Sequence, residues 1–178
     1  MRLCPSYLSF ILYNPIRKVL TNRDRVLEES GITGTSTVLE VGAGNGFLTE
    51  AIAQRAKKVY ALELQAGMVR KLRKRMKPFG DKVDIILADI AAYDIRSGFA
   101  DVVLMYYSFH EISNQSGAAG KIGMAIKPGG ILSIYEPAIE VKEAGMQKAI
   151  GMFESIGFTK EVVRDGRFTR FARLRKKR

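Results

Sequence analysis

Apolar positions along the chain follow two alternating rhythms. Short runs rich in β-branched residues are Thr37–Val41, Val59–Leu62, Val83–Leu87, Asp101–Tyr107 and Ile131–Tyr135. Between them lie longer stretches whose apolar residues recur at helical spacing. Leu48, Ile52 and Ala56 share one face of a helix over 46–56, and Val69, Leu72 and Met76 one face of a helix over 66–77 that Pro78 stops. Helices are also expected over 117–126 and over 141–156, the latter with Ala149, Ile150 and Phe153 inward. Lys127-Pro128-Gly129-Gly130 reads as a turn before the fifth strand. Val162-Val163, Asp165-Gly166 and Phe168–Leu174 read as a closing hairpin. Strands alternating with helices predict an α/β fold with a mostly parallel sheet. The near-continuous apolar fourth strand suits a central position in it.

The 178 residues are 47% hydrophobic and 26% charged, which gives one domain with a full core and argues against disorder. Cys4 and His110 are single, so a disulfide framework, a cysteine zinc cage and a multi-histidine metal centre are excluded. The longest apolar run, 102–109, is far short of the ~20 residues of a membrane helix. Arg2 and Leu8–Tyr13 look superficially like a signal peptide, but Pro5 interrupts the run and Asn14-Pro15 ends it. The expectation is a docked N-terminal segment of a cytoplasmic protein.

Candidate chemistry begins at Val38-Leu39-Glu40-Val41-Gly42-Ala43-Gly44-Asn45-Gly46-Phe47, a glycine-rich turn from the first strand into the first long helix. Such a turn lets the backbone approach a ligand and point amide N–H groups at it. Glu63, 21 residues after Gly42, ends the second strand, where a carboxylate can accept from both ribose hydroxyls. A nucleoside-containing cofactor is therefore expected at the carboxyl edge of the sheet. The spacing G-x-G-x-G, with Phe47 in the sixth position, departs from the dinucleotide fingerprint, and there is no G-K-[ST] phosphate loop. A cofactor without pyrophosphate fits better.

Glu40–Gly46 resembles the glycine motif of class I S-adenosylmethionine-dependent methyltransferases, of the type 11/25-like kind. Glu63, Ala88-Asp89-Ile90, Asp101–Leu104 and Lys127–Gly130 follow in the family's order, so the resemblance spans roughly residues 36–160. It implies a Rossmann-like, doubly wound seven-stranded sheet of order 3-2-1-4-5-7-6 with strand seven antiparallel. It also implies S-adenosyl-L-methionine as cofactor. By that likeness Gly42, Gly44 and Gly46 line the methionine part, Glu63 holds the ribose and Asp89 bonds the adenine amino group. Ala88 and Ile90 would pack the ring; Glu40, Ala43, Leu64 and Tyr106 complete the expected cofactor site. The bland alternatives are a plain βα turn, a solvated strand end at Glu63 and a helix cap at Asp89.

Methyl transfer leaves a neutral sulfur, so acceptor positioning can supply much of the rate. A base is needed only when the acceptor must first lose a proton. The segment after the fourth strand, Met105–Ile112, lacks the Asn/Asp-Pro-Pro-Tyr/Phe pattern of amino-methylating nucleic-acid enzymes and resembles the small-molecule branch. His110 is the candidate catalytic base, with Glu111 raising its pKa, and Tyr106 a second candidate catalytic residue; either can equally be packing. Tyr107 and Glu136 stand near the same rim, Glu136 as a simple strand-end carboxylate otherwise. Residues 1–35 are expected to form a helical lid segment, through Tyr7, Tyr13, Asn14 and Arg17, before a domain over 36–178.

The formal charge of +11 comes mainly from two places. Residues 70–77 carry six cations on a helix face opposite the apolar stripe, which a solvated face explains. Residues Arg164–Arg178 carry eight cations and one acid, a segment that can bind phosphates. Two functions follow. The first is methylation of a small-molecule acceptor. The alternative is methylation of RNA or protein docked on Arg164–Arg178; residues 38–76 also resemble ribosomal RNA adenine dimethyltransferases, as in Ala56–Glu63, but the Asn-Leu-Pro-Tyr of that group is missing here. A cofactor-binding scaffold without catalysis is the reading outside enzymes.

Overall fold

The computed structural model describes residues 21–178. In chain order the elements are α1 (Arg23–Glu29), β1 (Thr37–Val41), α2 (Phe47–Arg55), β2 (Lys58–Glu63), α3 (Ala66–Met76) and β3 (Val83–Leu87). They continue with β4 (Ala100–Tyr106), α4 (Gln115–Ala125), β5 (Ile126–Pro137), α5 (Glu143–Glu154), β6 (Phe158–Asp165) and β7 (Thr169–Lys176). The seven strands form one sheet in the order β3-β2-β1-β4-β5-β7-β6, parallel except for β7, which pairs antiparallel with both β5 and β6. This is the expected Rossmann-like topology.

Alternation along the strands builds two cores. Leu39, Val41, Val103 and Met105 face α4 and α5, while Val38, Val102 and Leu104 face α1, α2 and α3. Successive strand side chains point to opposite faces, so a strand covered on both sides must be apolar throughout. That is why β4 has no charged residue after Asp101. Asp101 works at the far edge of the sheet from the carboxyl ends. Its carboxylate accepts from Thr37 N–H at 2.8 Å and pairs with Lys127 at 2.6 Å, tying together the starts of β1, β4 and β5.

Lys127–Gly130, expected as a turn, lies inside the twelve-residue β5. Ile126 pairs with Ala100 but Ile131 with Val102, so the segment bulges out of the ladder and pairing resumes beyond it. Helix α1 belongs to the core: Val26 and Leu27 are buried, and none of residues 21–35 lines the main cleft. The remainder of the expected lid, with Tyr7, Tyr13, Asn14 and Arg17, lies outside the described residues. Among the described residues no helix is long and apolar enough to cross a membrane.

The basic closing segment is largely consumed by the fold. Arg164 makes a bidentate pair with Glu29 at 2.6 and 2.8 Å, and Arg173 donates to Glu29 O at 3.0 Å. Arg173 and Arg175 also pair with Glu161. Arg170 donates to Val141 O, and Lys176 to Gly123 O and Ile126 O. Glu29, which also receives Arg25 and the Tyr135 hydroxyl, therefore clasps α1 to the hairpin.

The Arg164 hydrogen bonds hold Glu29 down at about 2, against burial, with Arg25 and Tyr135 helping. A depressed carboxylate contributes stability that is present above its ordinary value near 4.5 and lost as pH falls toward 2. Glu29→Gln should cost about 1–2 kcal/mol at neutral pH, allowing for solvent screening of the half-exposed arginine. Thermal unfolding of the variant should lose the wild type's extra acid sensitivity between about pH 5 and 2. An identical acid slope in both proteins would refute the clasp.

Candidate active site

A cleft of about 610 Å³ opens at the carboxyl ends of β1, β2, β3 and β4. Its floor is the glycine turn. Gly42 and Ala43 both donate to Leu62 O, at 2.9 and 3.1 Å, which draws the turn toward β2. On the other side Ser108 Oγ donates to Val41 O at 2.7 Å. A Cβ at Gly42, where φ is +79°, would collide with the Ser108 side chain. Gly42 is therefore required by close approach as well as by its left-handed backbone. At Gly44 a Cβ would meet nothing within 4 Å, so the turn there borders open cleft. Its N–H donates to Glu63 Oε2 at 2.8 Å, and Glu63 Oε1 accepts from Gln65 N–H at 2.8 Å. Each of these oxygens keeps a second lone pair for a ligand.

Glu40, Gly42, Ala43, Gly44, Glu63, Leu64, Asp89, Ile90, Tyr106 and His110, all expected from the sequence, line this one cleft. Gly46 does not. It precedes α2 with φ +88°, and a Cβ there would lie 2.8 Å from Leu72 Cδ1. Its smallness lets α2 start against α3, so it serves helix packing rather than the cleft wall. Leu64 is exposed on the wall and Ile90 is buried beside Ala88. Asp89 Oδ1 accepts from Ala91 N–H at 2.9 Å and begins a turn, so the expected capping role coexists with its place in the lining.

Glu40 is buried, and Thr49 donates to it at 2.6 Å. Burial pushes its carboxyl up to about 8; the Thr49 hydrogen bond opposes this and the charge of Glu63 adds to it.

At the other end of the cleft β4 hands over to Tyr107, a non-glycine residue at φ +57°. Such a conformation costs on the order of 1–3 kcal/mol and persists only where neighbours enforce it. Here Tyr107 N–H donates to Tyr135 O at 2.8 Å, its hydroxyl meets that of Thr169, and its ring stacks on Tyr106 at 4.2 Å. The turn aims Ser108 beneath Gly42 and brings His110 to Glu136. The Glu136 carboxylate accepts from His110 N–H at 3.2 Å and bonds ring Nδ1, while Nε2 faces Glu140 at 3.2 Å. Glu136 is 2% exposed and Glu140 61%, so one partner is fixed and the other open to exchange. Burial works against protonation of His110. The Glu136 hydrogen bond and charge, with Glu140 and Glu111, outweigh it and raise the pKa. Sequence reasoning placed Glu136 at the rim but not against His110, and it missed Ser108 and Glu140. Their roles follow from the pairing of β4 with β5, for which a single sequence carries no signal.

A glycine turn with an acid at the end of β2 and another just beyond β3, around one cleft of this sheet, is the arrangement of class I S-adenosylmethionine-dependent methyltransferases. The methyltransferase domain family matches residues 39–134, and the chain belongs to it. Its cofactor is S-adenosyl-L-methionine. A methyltransferase of Geobacillus sp. is 28% identical over 144 residues, covering 80% of this chain and 66% of the relative. Ribosomal RNA small subunit methyltransferase A of Bacillus licheniformis is 38% identical over 74 residues, 42% of this chain and 25% of that protein. The chain thus spans about two thirds of the length of the first relative and a quarter of the second. The crystal structure of a SAM-dependent methyltransferase from Aquifex aeolicus superposes with a TM-score of 0.85 at 22% identity, covering 97% of this chain and 99% of that one.

The raised Glu40 carboxyl sets a stability prediction. A folded-state value above the ordinary 4.5 gives a contribution that is complete below 4.5 and lost as pH rises through about 8. Glu40→Gln should remove that loss, gaining about 2–4 kcal/mol over wild type at pH 9 relative to pH 5. Urea unfolding at the two pH values measures it, and parallel curves would contradict the assignment.

Proposed function

We propose that this chain transfers the methyl group of S-adenosyl-L-methionine to a small-molecule acceptor, with His110 as general base. The observation that carries this reading is the His110–Glu136 pair at the rim of the cofactor cleft. When bound, the cofactor supplies an electrophilic methyl on a positively charged sulfur. Gly42 and Gly44 leave room for its methionine part, and Glu63 can take the ribose hydroxyls on its remaining lone pairs. Asp89, on the cleft wall with one oxygen engaged by Ala91 N–H, would take the adenine amino group, and Ala88, Ile90 and Leu64 the ring faces. Among the described residues the lining contains Glu63, Asp89, Glu111 and Glu140, beside a Glu40 that burial keeps protonated at neutral pH, and no lysine or arginine, which suits a cofactor of net positive charge.

Glu136 is a positioning residue. By taking Nδ1–H it orients the ring so that Nε2, which donates to Glu140 at 3.2 Å while the imidazole is protonated, is the nitrogen that carries the lone pair once that proton is lost, toward the open end of the cleft. A base there takes the acceptor's proton and passes it to exposed Glu140 or to solvent. Tyr106 borders the acceptor with its ring, held by Tyr107 and by its hydroxyl's bond to Thr21 at 3.3 Å.

The second reading is an RNA acceptor. Arg70, Arg73 and Lys74 on α3, with Lys77 just beyond it, are exposed and offer phosphates a surface. The Arg164–Arg178 segment offers less than its composition suggests, since Arg164, Arg170, Arg173, Arg175 and Lys176 are held by protein partners. RNA binding that weakens steeply with salt, with labelled methyl found in RNA, would favour this reading over the first.

Two experiments test the proposal. Calorimetry should detect S-adenosylhomocysteine binding to the wild type and none to Gly44→Arg, whose side chain fills the cleft; unchanged affinity would sink the cofactor assignment. Radiolabelled methyl transfer to small-molecule extract fractions should fall about 10²–10⁴-fold in His110→Ala with cofactor affinity retained. In Glu136→Gln the lost carboxylate lowers the pKa of His110. The acid limb of the rate profile should then move to lower pH; an unmoved limb would remove His110 from the chemistry.

A further inference from the structure

We propose that the acceptor is an amine with an apolar body, its ammonium received by Glu140 and its apolar part laid on an exposed lip formed by Ile139 and Phe168. This rests on the methyl-transfer reading above and names its substrate class.

Charge is the first argument. In a chain of +11, the only basic residue lining the cleft among the described residues is His110. Glu40, Glu63 and Asp89 belong to the cofactor end. Glu111 and Glu140 line the acceptor end, with Glu136 behind His110. A carboxylate or phosphate acceptor is repelled there, and a neutral hydroxyl gains no charge attraction. An ammonium group is drawn in.

The second argument is exchange. Glu140 is the exposed partner of His110 Nε2, at 3.2 Å. An arriving ammonium can pair with Glu140 and take its place at the ring nitrogen, while buried Glu136 keeps the imidazole in orientation.

The third is shape. Ile139 is 92% and Phe168 77% exposed, which is unusual for large apolar side chains. Ile139 lies in the turn between Pro137 and Glu140, both of which line the cleft, and Val141 N–H closes that turn onto Pro137 O at 2.9 Å. Ala138 N–H donates to Phe168 O at 3.0 Å, joining the two halves of the lip. The cations beside it are directed elsewhere. Arg167 lies over the Phe168 ring at 5.5 Å, and Arg170 holds Val141 O and Asp165.

In the reaction the ammonium gives one proton to His110 Nε2. The freed nitrogen lone pair forms the bond to the methyl carbon, and the carbon–sulfur bond breaks with its electrons left on sulfur. The product is a methylated ammonium, and the proton on His110 passes to solvent.

Calorimetry on the full chain saturated with S-adenosylhomocysteine tests this with three matched probes: 2-phenylethylamine, 2-phenylethanol and 3-phenylpropionate. The amine should bind at least about tenfold more tightly than the alcohol, and the carboxylate should give no heat. Glu140→Gln should weaken the amine about tenfold and leave the alcohol unchanged. Ile139→Ser combined with Phe168→Ser should weaken amine and alcohol alike. All three side chains are exposed, so melting temperatures should stay close to wild type. Equal binding of amine and alcohol, or an amine affinity indifferent to Glu140→Gln, would overturn the proposal. S-adenosylhomocysteine affinity is measured first in the same samples. Its absence would overturn the methyl-transfer reading itself, whereas its presence without amine preference overturns only the substrate class.

Discussion

Ser108 sits against Gly42 so closely that a Cβ on the glycine would overlap the serine side chain. That contact fixes the passage by which the chain leaves β1. The Val41 carbonyl is taken by Ser108, and the next two amides are taken by Leu62 O. The turn is thus stretched between β4 and β2, and Gly44 is left at the edge of open space with its N–H on Glu63. One steric constraint sets the cleft floor, the orientation of the β2 acid and the direction of the segment after β4. Buried backbone groups must be paired, so no part of this arrangement can relax alone.

The same segment links stability to the site. Tyr107 pays for its left-handed backbone with bonds to β5 and to the hairpin, through Tyr135 O and Thr169. The hairpin is in turn held to α1 by Glu29 and Arg164. Much of the chain's excess positive charge is spent in that clasp and its neighbours. The basic composition of the closing segment therefore describes how the last two strands are fastened. The cleft itself is acid-lined, and net charge gives the wrong sign for its interior.

Most of the fold was legible because a doubly covered parallel sheet demands apolar runs, and these stand out at β1, β2 and β4. The glycine turn, the acid ending β2 and the one beyond β3 were legible because their order and spacing along the chain match the family's. Three things were not. Lys127–Gly130 has the composition of a turn, but the ladder absorbs it as a bulge because Ile126 and Ile131 both find partners on β4. Gly46 shares the motif's rhythm, yet its lost side chain makes room for Leu72. The His110–Glu136 pair joins residues 26 apart through strand register, which local pattern does not encode.

Register also explains why the rim can separate two tasks. Tyr106 pairs with Tyr135, so the residues just beyond each strand emerge side by side. Glu136 still belongs to β5, where Arg170 of β7 lies opposite it, and it is buried. Glu140 follows the Pro137 turn and is in solvent. Two carboxylates thus reach the two nitrogens of one imidazole from environments of opposite rigidity. The buried one loses little entropy in staying put and can hold the ring. The exposed one can leave Nε2 at small cost, because water satisfies it. The end of β5 thus supplies, within five residues, one carboxylate that fixes the ring and one that can exchange at its other nitrogen.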